Sequence, residues 1–392
     1  MESLRRNLFM CWRIIGALLP VIAQCTAEAR SPSILSEEFV FEAAPFPSCH
    51  AATIAELNGG FVCAFFGGTA ERNPDVCIWV SRKEKGSEHW TAPVVVASGE
   101  RLSDMPPPRY PTWNPVLFQP RGGDLMLFYK VGPSPSQWWG EVTTSADNGK
   151  TWKRPVDNQF SLFGTILKAS PNDNIHGRLI GPVKNKPLQL ADGTILAGSS
   201  TEDSGWNVHV ERSTDEGKAW EWIAVDDPER LSCIQPTLLT LPGGRVEMLC
   251  RSNKANKICE SHSVDGGKSW SPLAATTLPN NNSGIDAVSL ADGRHLLVYN
   301  HTTADQTDGG HKGRGILNVS ISHDGQQWDA ALVLERTTEN KQYSYPSVIQ
   351  ASDGLVHIVY TWNRERIKHV VLDPTKLISQ PIVNGQWPKG VE

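Results

Sequence analysis

The stretch Gln342-Tyr-Ser-Tyr-Pro-Ser-Val-Ile-Gln-Ala-Ser-Asp-Gly-Leu-Val-His-Ile-Val-Tyr360 contains the pattern that decides the fold. A polar approach leads into a short apolar strand, an Asp-Gly turn and a second strand in which apolar and polar residues alternate. The same order recurs upstream, with openings at His50, Asn114, Lys186, Gln235 and Asp286. Six openings of one kind, counting Tyr345, predict six equivalent strands that meet around a common centre.

A second motif, Ser-x-Asp-x-Gly-x-x-Trp, recurs between these openings. Its Asp can accept backbone N–H bonds, its Gly can adopt positive φ, and its Trp can pack between neighbouring sheets, so the motif predicts a structural turn between two strands. Complete copies span Ser145–Trp152, Ser213–Trp220 and Ser263–Trp270. Degenerate copies begin at Ser81 and Ser322.

Each repeat unit reads as four short strands. The predicted strands of the first two units are His50–Leu57, Gly60–Phe66, Val76–Ser81, Ala92–Val96, Asn114–Phe118, Asp124–Tyr129, Glu141–Ser145 and Trp152–Val156. The next three units run from Lys186 to Ala224, Gln235 to Ala275 and Asp286 to Glu335. The sixth has three strands after Tyr345, so Glu38–Ala43 is expected to complete it. We therefore predict an all-β, six-bladed β-propeller of four-stranded antiparallel blades, closed by an N-terminal strand in the last blade.

The charge distribution bears on the expected partners, and the N-terminal segment bears on the expected location of the protein. The net charge of -5 comes from charges spread along the 392 residues, and the absence of a basic stripe excludes nucleic acid as an expected partner. A basic start, an apolar segment from Leu8 to Ala23 and Ala27-Glu-Ala29 predict a signal peptide over residues 1–29, with a short membrane anchor as the alternative. We expect residues 30–392 to form the propeller of a secreted or periplasmic protein with no stable membrane span.

Six cysteines follow the predicted cleavage site, and they lack paired metal-ligand spacing. We expect core thiols or disulfides rather than a zinc site, with Cys63/Cys77 and Cys250/Cys259 able to face each other across adjacent strands. No dedicated calcium-loop signature is present, although Asp and Asn are plentiful. The sequence therefore indicates no cofactor and no dedicated metal site, and it leaves a calcium requirement open.

The polar openings and several charged residues are predicted to share one face of the propeller. If the first strand of each blade is innermost, the strand openings and the loops between the second and third strands lie together, opposite the Ser-x-Asp turns. Besides the six openings, this face should carry Glu71, Asp75, Lys130, Trp206, Arg251, Arg314 and Arg364. Carboxylates, arginines and aromatic rings around a cavity suit a carbohydrate with an acidic group.

The turn motifs and the six-unit rhythm resemble the sialidase (neuraminidase) superfamily, and within it the predicted-neuraminidase branch with Asp-box (BNR) repeats. The resemblance covers most of the predicted mature chain and implies that Tyr345, by strand register rather than Tyr343, is a nucleophile. It also implies that Arg251 and Arg314 bind a sugar carboxylate, and that Glu71 or Asp75 is the general acid.

Two positions depart from the family pattern. His50 stands where the first arginine is expected, and Gln235 stands where a glutamate assists the tyrosine. A phenol with a pKa near ~10 needs help to ionise, and Gln cannot take its proton. Either another group, such as His50, Lys186 or Asp286, assists Tyr345, or the mechanism differs.

Three functional hypotheses follow. The first is a sialidase-like glycoside hydrolase that removes a terminal acidic sugar from a glycan. The second is a propeller glycosidase or a lyase acting on uronate-containing glycans, with His50 as the base. The third is a carbohydrate-binding propeller without catalytic activity.

Overall fold

The computed structural model describes residues 31–100, 109–153, 165–166, 179–305 and 310–392. The predicted signal peptide, 1–29, lies outside these residues. The described chain forms six antiparallel sheets arranged as a six-bladed β-propeller, which confirms the predicted fold class. No helix among the described residues is long and apolar enough to cross a membrane.

The strands follow the repeat order. The closing strand is β1 (Ile34–Phe39), and the first blade contains β2 (Ser48–Leu57), β3 (Gly60–Gly68), β4 (Cys77–Glu84) and β5 (Val94–Ala97). A small hairpin, β6 (Gly99–Glu100) and β7 (Arg109–Tyr110), precedes the second blade, β8 (Thr112–Phe118), β9 (Leu125–Val131), β10 (Trp139–Ser145) and β11 (Thr165–Ile166). The third blade is β12 (Leu188–Gln189), β13 (Ile195–Thr201), β14 (Asn207–Ser213) and β15 (Glu221–Ala224).

The remaining blades continue this order. The fourth contains β16 (Cys233–Thr240), β17 (Val246–Ser252), β18 (Lys257–Ser263) and β19 (Ala274–Pro279). The fifth contains β20 (Asp286–Ser289), β21 (His295–Tyr299), β22 (Ile316–Ser322), β23 (Trp328–Arg336) and β27 (Gln380–Pro381), and the sixth contains β24 (Tyr343–Gln350), β25 (Val356–Trp362) and β26 (Arg366–Leu372). Three single-turn 3₁₀ helices span Pro242–Gly244, His311–Gly313 and Pro374–Lys376.

The N-terminal strand closes the ring as predicted, although its limits differ. Strand β1 pairs antiparallel with β26, with Ile34 opposite Leu372. The first strand therefore joins the sixth blade, over Ile34–Phe39 rather than the predicted Glu38–Ala43. In the second blade Thr165–Ile166 pairs with β10 as the outer strand. Of the predicted strand Trp152–Val156, Trp152 and Lys153 are not in a strand, and 154–156 lie outside the described residues.

The Ser-x-Asp turns are built from local hydrogen bonds. In the fourth blade, Asp265 Oδ1 accepts from the backbone N–H groups of Lys268 and Ser269 at 3.0 Å each, and Ser263 Oγ donates to the same oxygen at 2.8 Å. Trp270 Nε1 then donates to the Gly267 carbonyl at 3.3 Å. The motif is thus a self-contained turn, as the sequence predicts.

The six cysteines are buried free thiols: Cys49, Cys63, Cys77, Cys233, Cys250 and Cys259. Cys250 and Cys259 lie directly opposite each other in neighbouring strands, as expected. Cys63 and Cys77 do not, because Cys63 pairs with Ser81. The core is therefore held by apolar packing between blades.

Candidate active site

The innermost strands share an irregularity that turns one side chain toward the axis. In four blades the pairing of the first two strands shifts at the strand opening, for example between Ile234 and Thr237. One non-glycine residue there has positive φ, which is unfavourable for L-residues and persists only when its surroundings hold it. These residues are Ala51 (55°), Asn114 (38°), Gln235 (56°) and Tyr345 (56°).

This irregularity corrects the predicted register of three openings. In the third blade the left-handed residue is Lys184 (75°), two positions before Lys186. In the fifth blade Gly284 holds the corresponding place, two positions before Asp286, and a Cβ there would lie 3.2 Å from Gln235 Oε1 and 3.4 Å from Tyr345 Cδ2. In the first blade the position is that of Ala51, with His50 beside it. Alternation of side chains along a strand cannot reveal these positions. In the first blade a bulge shifts the register, and in the third and fifth blades Lys184 and Gly284 precede the first paired residues, Leu188 and Asp286.

The opening residues form a ring around the axis, and Tyr345 is one of them. Side chains from the fourth blade hold its hydroxyl group. Arg251 Nη1 donates to Tyr345 Oη at 2.5 Å and to Gln235 Oε1 at 2.9 Å. Gln235 Nε2 donates to Tyr345 Oη at 3.4 Å. The guanidinium carbons of Arg251 and Arg314 each lie 5.6 Å from the centre of the Tyr345 ring.

Two cations compensate for the missing carboxylate beside this tyrosine. Burial acts to raise the pKa of Tyr345, but the charges of Arg251 and Arg314 and the hydrogen bond from Gln235 outweigh it, so the pKa falls below its ordinary value. The phenolate is therefore stabilised by electrostatic interaction where the family pattern has a base. The lowered pKa favours ionisation of the Tyr345 hydroxyl although residue 235 is a glutamine.

Arg251, Arg314 and Arg364 lie close to one another near Tyr345. Arg251 is committed to internal partners, since its Nε and Nη2 donate to Asn282 Oδ1 at 3.1 and 2.8 Å. Arg314 Nη2 donates to the Asn282 carbonyl at 3.2 Å, while its buried Nε has no hydrogen-bond partner among the described residues. Burial, together with the charges of Arg251 and Arg364, lowers the pKa of Arg314 to about 10 against the attraction of Tyr345. Arg364 thus places a third guanidinium in the cluster, although His50 replaces the arginine expected in the first blade.

Three carboxyl groups lie near this face, in different states. Glu71 Oε2 accepts from Arg364 Nη1 at 2.7 Å. Asp75 Oδ2 accepts from the backbone N–H and the hydroxyl of Thr69 at 2.8 and 2.6 Å; although burial acts to raise the pKa of Asp75, these bonds lower it. The third is Glu202, directly after β13, whose pKa is raised by burial in spite of Arg251 and a hydrogen bond to Trp206. Sequence analysis missed Glu202; its only signal is its position at the end of a second strand.

His50 is neutral and packed against the tyrosine. Its ring centre lies 4.1 Å from that of Tyr345, and its Nδ1 is 2.9 Å from Thr361 Oγ1. Burial, and then the nearby cations Arg364 and Arg314, lower the pKa of His50 well below its ordinary value. Its Nε2 is buried without a partner among the described residues. The imidazole is therefore neutral, and its surroundings disfavour a positive charge on it.

Several other candidates are structural partners in this arrangement. Lys186 Nζ is 2.9 Å from Asp286 Oδ2, and Asp286 also accepts from Thr237 Oγ1 at 2.7 Å and from the Val348 N–H at 2.8 Å. This belt ties the third, fourth, fifth and sixth blades together beneath the openings. Lys130 is fully buried and donates to the Pro182 carbonyl at 2.8 Å, and burial lowers the pKa of Lys130 to about 7.

The remaining candidates lie at the ring. Asn114 is buried at the second opening, and the ring of Trp206 lies 5.0 Å from the guanidinium carbon of Arg251. Lys184, at the third opening, donates from Nζ to the Ile285 carbonyl and to Asn185 Oδ1 at 2.8 Å each, and also to the Pro346 carbonyl. Burial lowers the pKa of Lys184 to about 7. The ring thus combines a tyrosine, guanidinium groups, amides and an aromatic face.

A cavity of about 800 Å³ lies on the Asp-box side, between hairpins of the first, second and sixth blades. Hairpin tips that include Asn58, Gln119 and Asp353 line it, but Tyr345, Arg251 and Arg314 do not. We place the candidate active site at the ring of strand openings that contains Tyr345, because side chains with shifted pKa values converge there.

The propeller and its Asp-box turns define the class of protein. The BNR repeat-like domain matches residues 59–358, and the chain belongs to this family. It is 23% identical over 250 residues to the anhydrosialidase of Macrobdella decora, covering 57% of this chain and 30% of that protein. It is 24% identical over 261 residues to the sialidase of Micromonospora viridifaciens, covering 64% of this chain and 33% of that protein.

The chain spans about a third of the length of these curated relatives. Among solved structures, the intramolecular trans-sialidase of Ruminococcus gnavus is similar, with a TM-score of 0.67 and 12% identity over 90% of this chain and 100% of that one. This likeness establishes the sialidase-type propeller fold, and the activity of this chain is a separate question.

Proposed function

We propose that this chain is an exo-acting, sialidase-like glycoside hydrolase that removes a terminal acidic sugar from a glycan. The observation that carries the proposal is Tyr345, which is half-buried, with Arg251 donating to its hydroxyl and the guanidinium carbons of Arg251 and Arg314 each 5.6 Å from the centre of its ring. The sialidase relatives support the same reaction class. If residues 1–29 act as a signal peptide, the enzyme works outside the cytoplasm.

Substrate binding would use the guanidinium groups that remain available. Arg314 has an unpartnered buried Nε, and Arg364 is partly exposed beside it. A planar guanidinium pairs with a carboxylate through parallel hydrogen bonds, and such charge-assisted bonds are worth about 1.5–3 kcal/mol each. We assign the sugar carboxylate mainly to Arg314, while Arg251 stabilises the Tyr345 phenolate.

The chemical steps then follow. Tyr345 first loses its hydroxyl proton to water. The phenolate Oη then bonds to the anomeric carbon as the glycosidic bond breaks, and a carboxylic acid gives its proton to the departing oxygen. Glu202 suits this role better than Glu71 or Asp75, because those two are held as acceptors by Arg364 and Thr69. Water next attacks the anomeric carbon, the carboxylate takes its proton, and the bond to Tyr345 breaks. Two displacements give retention of configuration.

The test is hydrolysis of aryl glycosides of acidic sugars by the wild type and by Tyr345→Phe. We expect a loss on the order of 10³-fold or more in kcat for Tyr345→Phe, as for other nucleophile removals. Tyr343→Phe, on the same strand, is the matched control and should keep near-normal kcat. Proton NMR of the first product should show the retained anomer; equal rates for Tyr345→Phe and wild type would remove the tyrosine from the mechanism.

A second candidate is a lyase that acts on uronate-containing glycans with His50 as the base. Its neutral imidazole and unpartnered Nε2 favour this reading. A lyase would produce an unsaturated uronate that absorbs in the ultraviolet, and a hydrolase would not. Saturable binding of acidic glycans with no turnover would instead indicate a carbohydrate-binding propeller.

A further inference from the structure

The blades contact each other through a repeated arrangement on the Asp-box side. The glycine of each complete Asp-box turn lies against a side chain from the second strand of the preceding blade, at 2.5–3.1 Å from where a Cβ would stand. Such a close approach to apolar atoms leaves no room for water. The three pairs are Gly149 on Val62, Gly217 on Met126 and Gly267 on Leu196.

The turn of the fifth blade departs from this arrangement. Gly325 lies against Glu247, with Oε2 2.3 Å from the position of an added Cβ. Glu247 is fully buried, and both of its carboxylate oxygens have no hydrogen-bond partner among the described residues. An ionised carboxylate without a partner costs several kcal/mol to bury, so this position requires either a proton or a cation.

Two further ligand-type side chains face Glu247. His262 lies directly opposite it in β18, and Glu260 lies two residues earlier on the same side of that strand. Ligand atoms of all three residues lie within 4.8 Å of one another, and His262 Nε2 is 3.9 Å from Glu260 Oε2. His262 Nδ1 is also buried without a partner among the described residues.

The other blades provide an internal comparison. The blades are aligned on the first serine of each Asp-box motif, Ser263 in the fourth blade and Ser322 in the fifth. In this alignment the positions of Glu247, His262 and Glu260 correspond to Leu296, Ile321 and Val319. In the third blade they correspond to Leu196, Arg212 and Val210. The propeller therefore does not need polar groups at these positions, and the fourth blade has three together.

We propose that Glu247, Glu260 and His262 bind one divalent transition-metal cation of the Zn²⁺ type between the fourth and fifth blades. Two carboxylates and an imidazole are ordinary ligands of Zn²⁺, at about 2.0–2.2 Å from the metal. The side chains of Glu260 and His262 are each 25% exposed, which gives a path for the ion and room to close on it. The cation would neutralise Glu247 and cross-link β17 to β18.

Burial, followed by the neighbouring carboxylates of Glu260 and Asp324, raises the pKa of Glu247 to about 9. A protonated Glu247 without metal is therefore the competing state at neutral pH. The Asp324 carboxylate is occupied by the N–H groups of Gln326 and Gln327 at 2.8 Å, so it adds negative potential rather than a ligand. The same negative potential that favours the proton also favours a doubly charged ion.

The experiment uses the full chain, stripped with a chelator and dialysed against Zn²⁺, with Mn²⁺ and Ca²⁺ as parallel arms. Bound metal is measured by mass spectrometry, and thermal unfolding is followed with and without Zn²⁺. The variants are Glu247→Gln, His262→Gln and the triple change Glu247→Leu, Glu260→Val and His262→Ile, which copies the fifth blade. His209→Gln is the matched control, because His209 is a buried histidine 3.2 Å from Glu211 in the third blade.

We expect the wild type and His209→Gln to retain stoichiometric Zn²⁺ and to unfold at a higher temperature with it. Glu247→Gln and His262→Gln should lose more affinity than the roughly 10–100-fold that outer-shell changes cost. The triple variant should bind no Zn²⁺ and should still fold. Wild type without stoichiometric Zn²⁺, or unchanged affinity in His262→Gln and the triple variant, would overturn the proposal.

Discussion

The strand openings around Tyr345 form a ring about the axis, and the Asp-box turns repeat on the opposite face. Both are polar, yet their polar groups find hydrogen-bond partners in opposite ways. Asp265 finds its partners within four residues of itself in sequence. Tyr345 is held by Arg251, which is 94 residues away, and by Gln235, which is 110 residues away. The turns are local structures, and the ring exists only when the blades have closed.

This difference indicates that the turns contribute to folding stability and that the ring offers groups to a ligand. A turn whose acceptors are all used within it has nothing left to offer a ligand. The ring keeps unpartnered groups, such as the buried Nε of Arg314 and Nε2 of His50, and it contains groups with shifted pKa values. Changes at the ring should therefore alter catalysis, and changes at the turns should alter unfolding.

The largest effect is expected at the general acid. Glu202→Gln should lower kcat by about 10²–10⁴-fold for a glycoside with a poor leaving group, because that oxygen needs a proton. The loss should be much smaller for an activated aryl leaving group, which departs as the anion. Initial rates on both substrates measure this difference.

The two other carboxylates are the controls for that experiment. Asp75→Asn should change kcat little, since Asp75 serves the turn at Thr69. If Glu71→Gln shows the dependence on leaving group and Glu202→Gln does not, the acid is Glu71. In that case the ion pair with Arg364 must open when substrate binds.

A smaller effect is expected at the carboxylate-binding arginine. Arg314→Met removes a charge-assisted contact of about 1.5–3 kcal/mol, which corresponds to roughly a 10–150-fold rise in KM. Arg245→Met, on the turn side, is the matched control and should leave KM unchanged. An unchanged KM for Arg314→Met, measured on a substrate that carries the carboxylate, would place substrate binding elsewhere.

The sequence predicts the repeat architecture well because each blade has its own turn motif, and it locates Tyr345 because an apolar strand follows directly. It does not predict Lys184 or Gly284, since both precede the first paired residue of their innermost strand, Leu188 and Asp286, and alternation along the strand does not reach them. It places Arg364 on the face of the strand openings but does not predict that Glu202 lies there too, because that proximity depends on contacts between different blades. Glu247 is recognised as unusual only when the blades are aligned, because Leu196 and Leu296 hold its position in the third and fifth blades.

A third prediction concerns pH. The folded pKa of His50 is well below its unfolded value near ~6.5, so the unfolded chain binds this proton first as the pH falls. The contribution to stability is present above pH ~6.5 and decreases below it, by up to about 1.4 kcal/mol per pH unit. Chemical denaturation at several pH values should show a shallower loss for His50→Asn than for the wild type. Parallel curves would mean that His50 remains as titratable as in the unfolded chain.

The smallest effect is expected at the Asp-box. Asp265→Ala leaves the backbone N–H groups of Lys268 and Ser269 without their acceptor, comparable to losing a helix N-cap at about 1–2 kcal/mol. These hydrogen bonds, the first of them from the Ser269 hydroxyl, lower the pKa of Asp265 to about 2. The stabilisation is therefore present above the unfolded pKa near ~3.9 and is lost as the pH falls through about 2.

Denaturant unfolding at neutral pH measures this loss, and kcat/KM on the same samples should match the wild type. Val264→Ala, in the same turn with its side chain 78% exposed, is the matched control for both measurements. Reduced kcat/KM in Asp265→Ala, with substrate present at a temperature where the chain is folded, would show that the turns and the ring are coupled. The separation between local turns and a ring assembled from distant blades would then fail, because a change confined to one hairpin would have reached the tyrosine across the length of the blade.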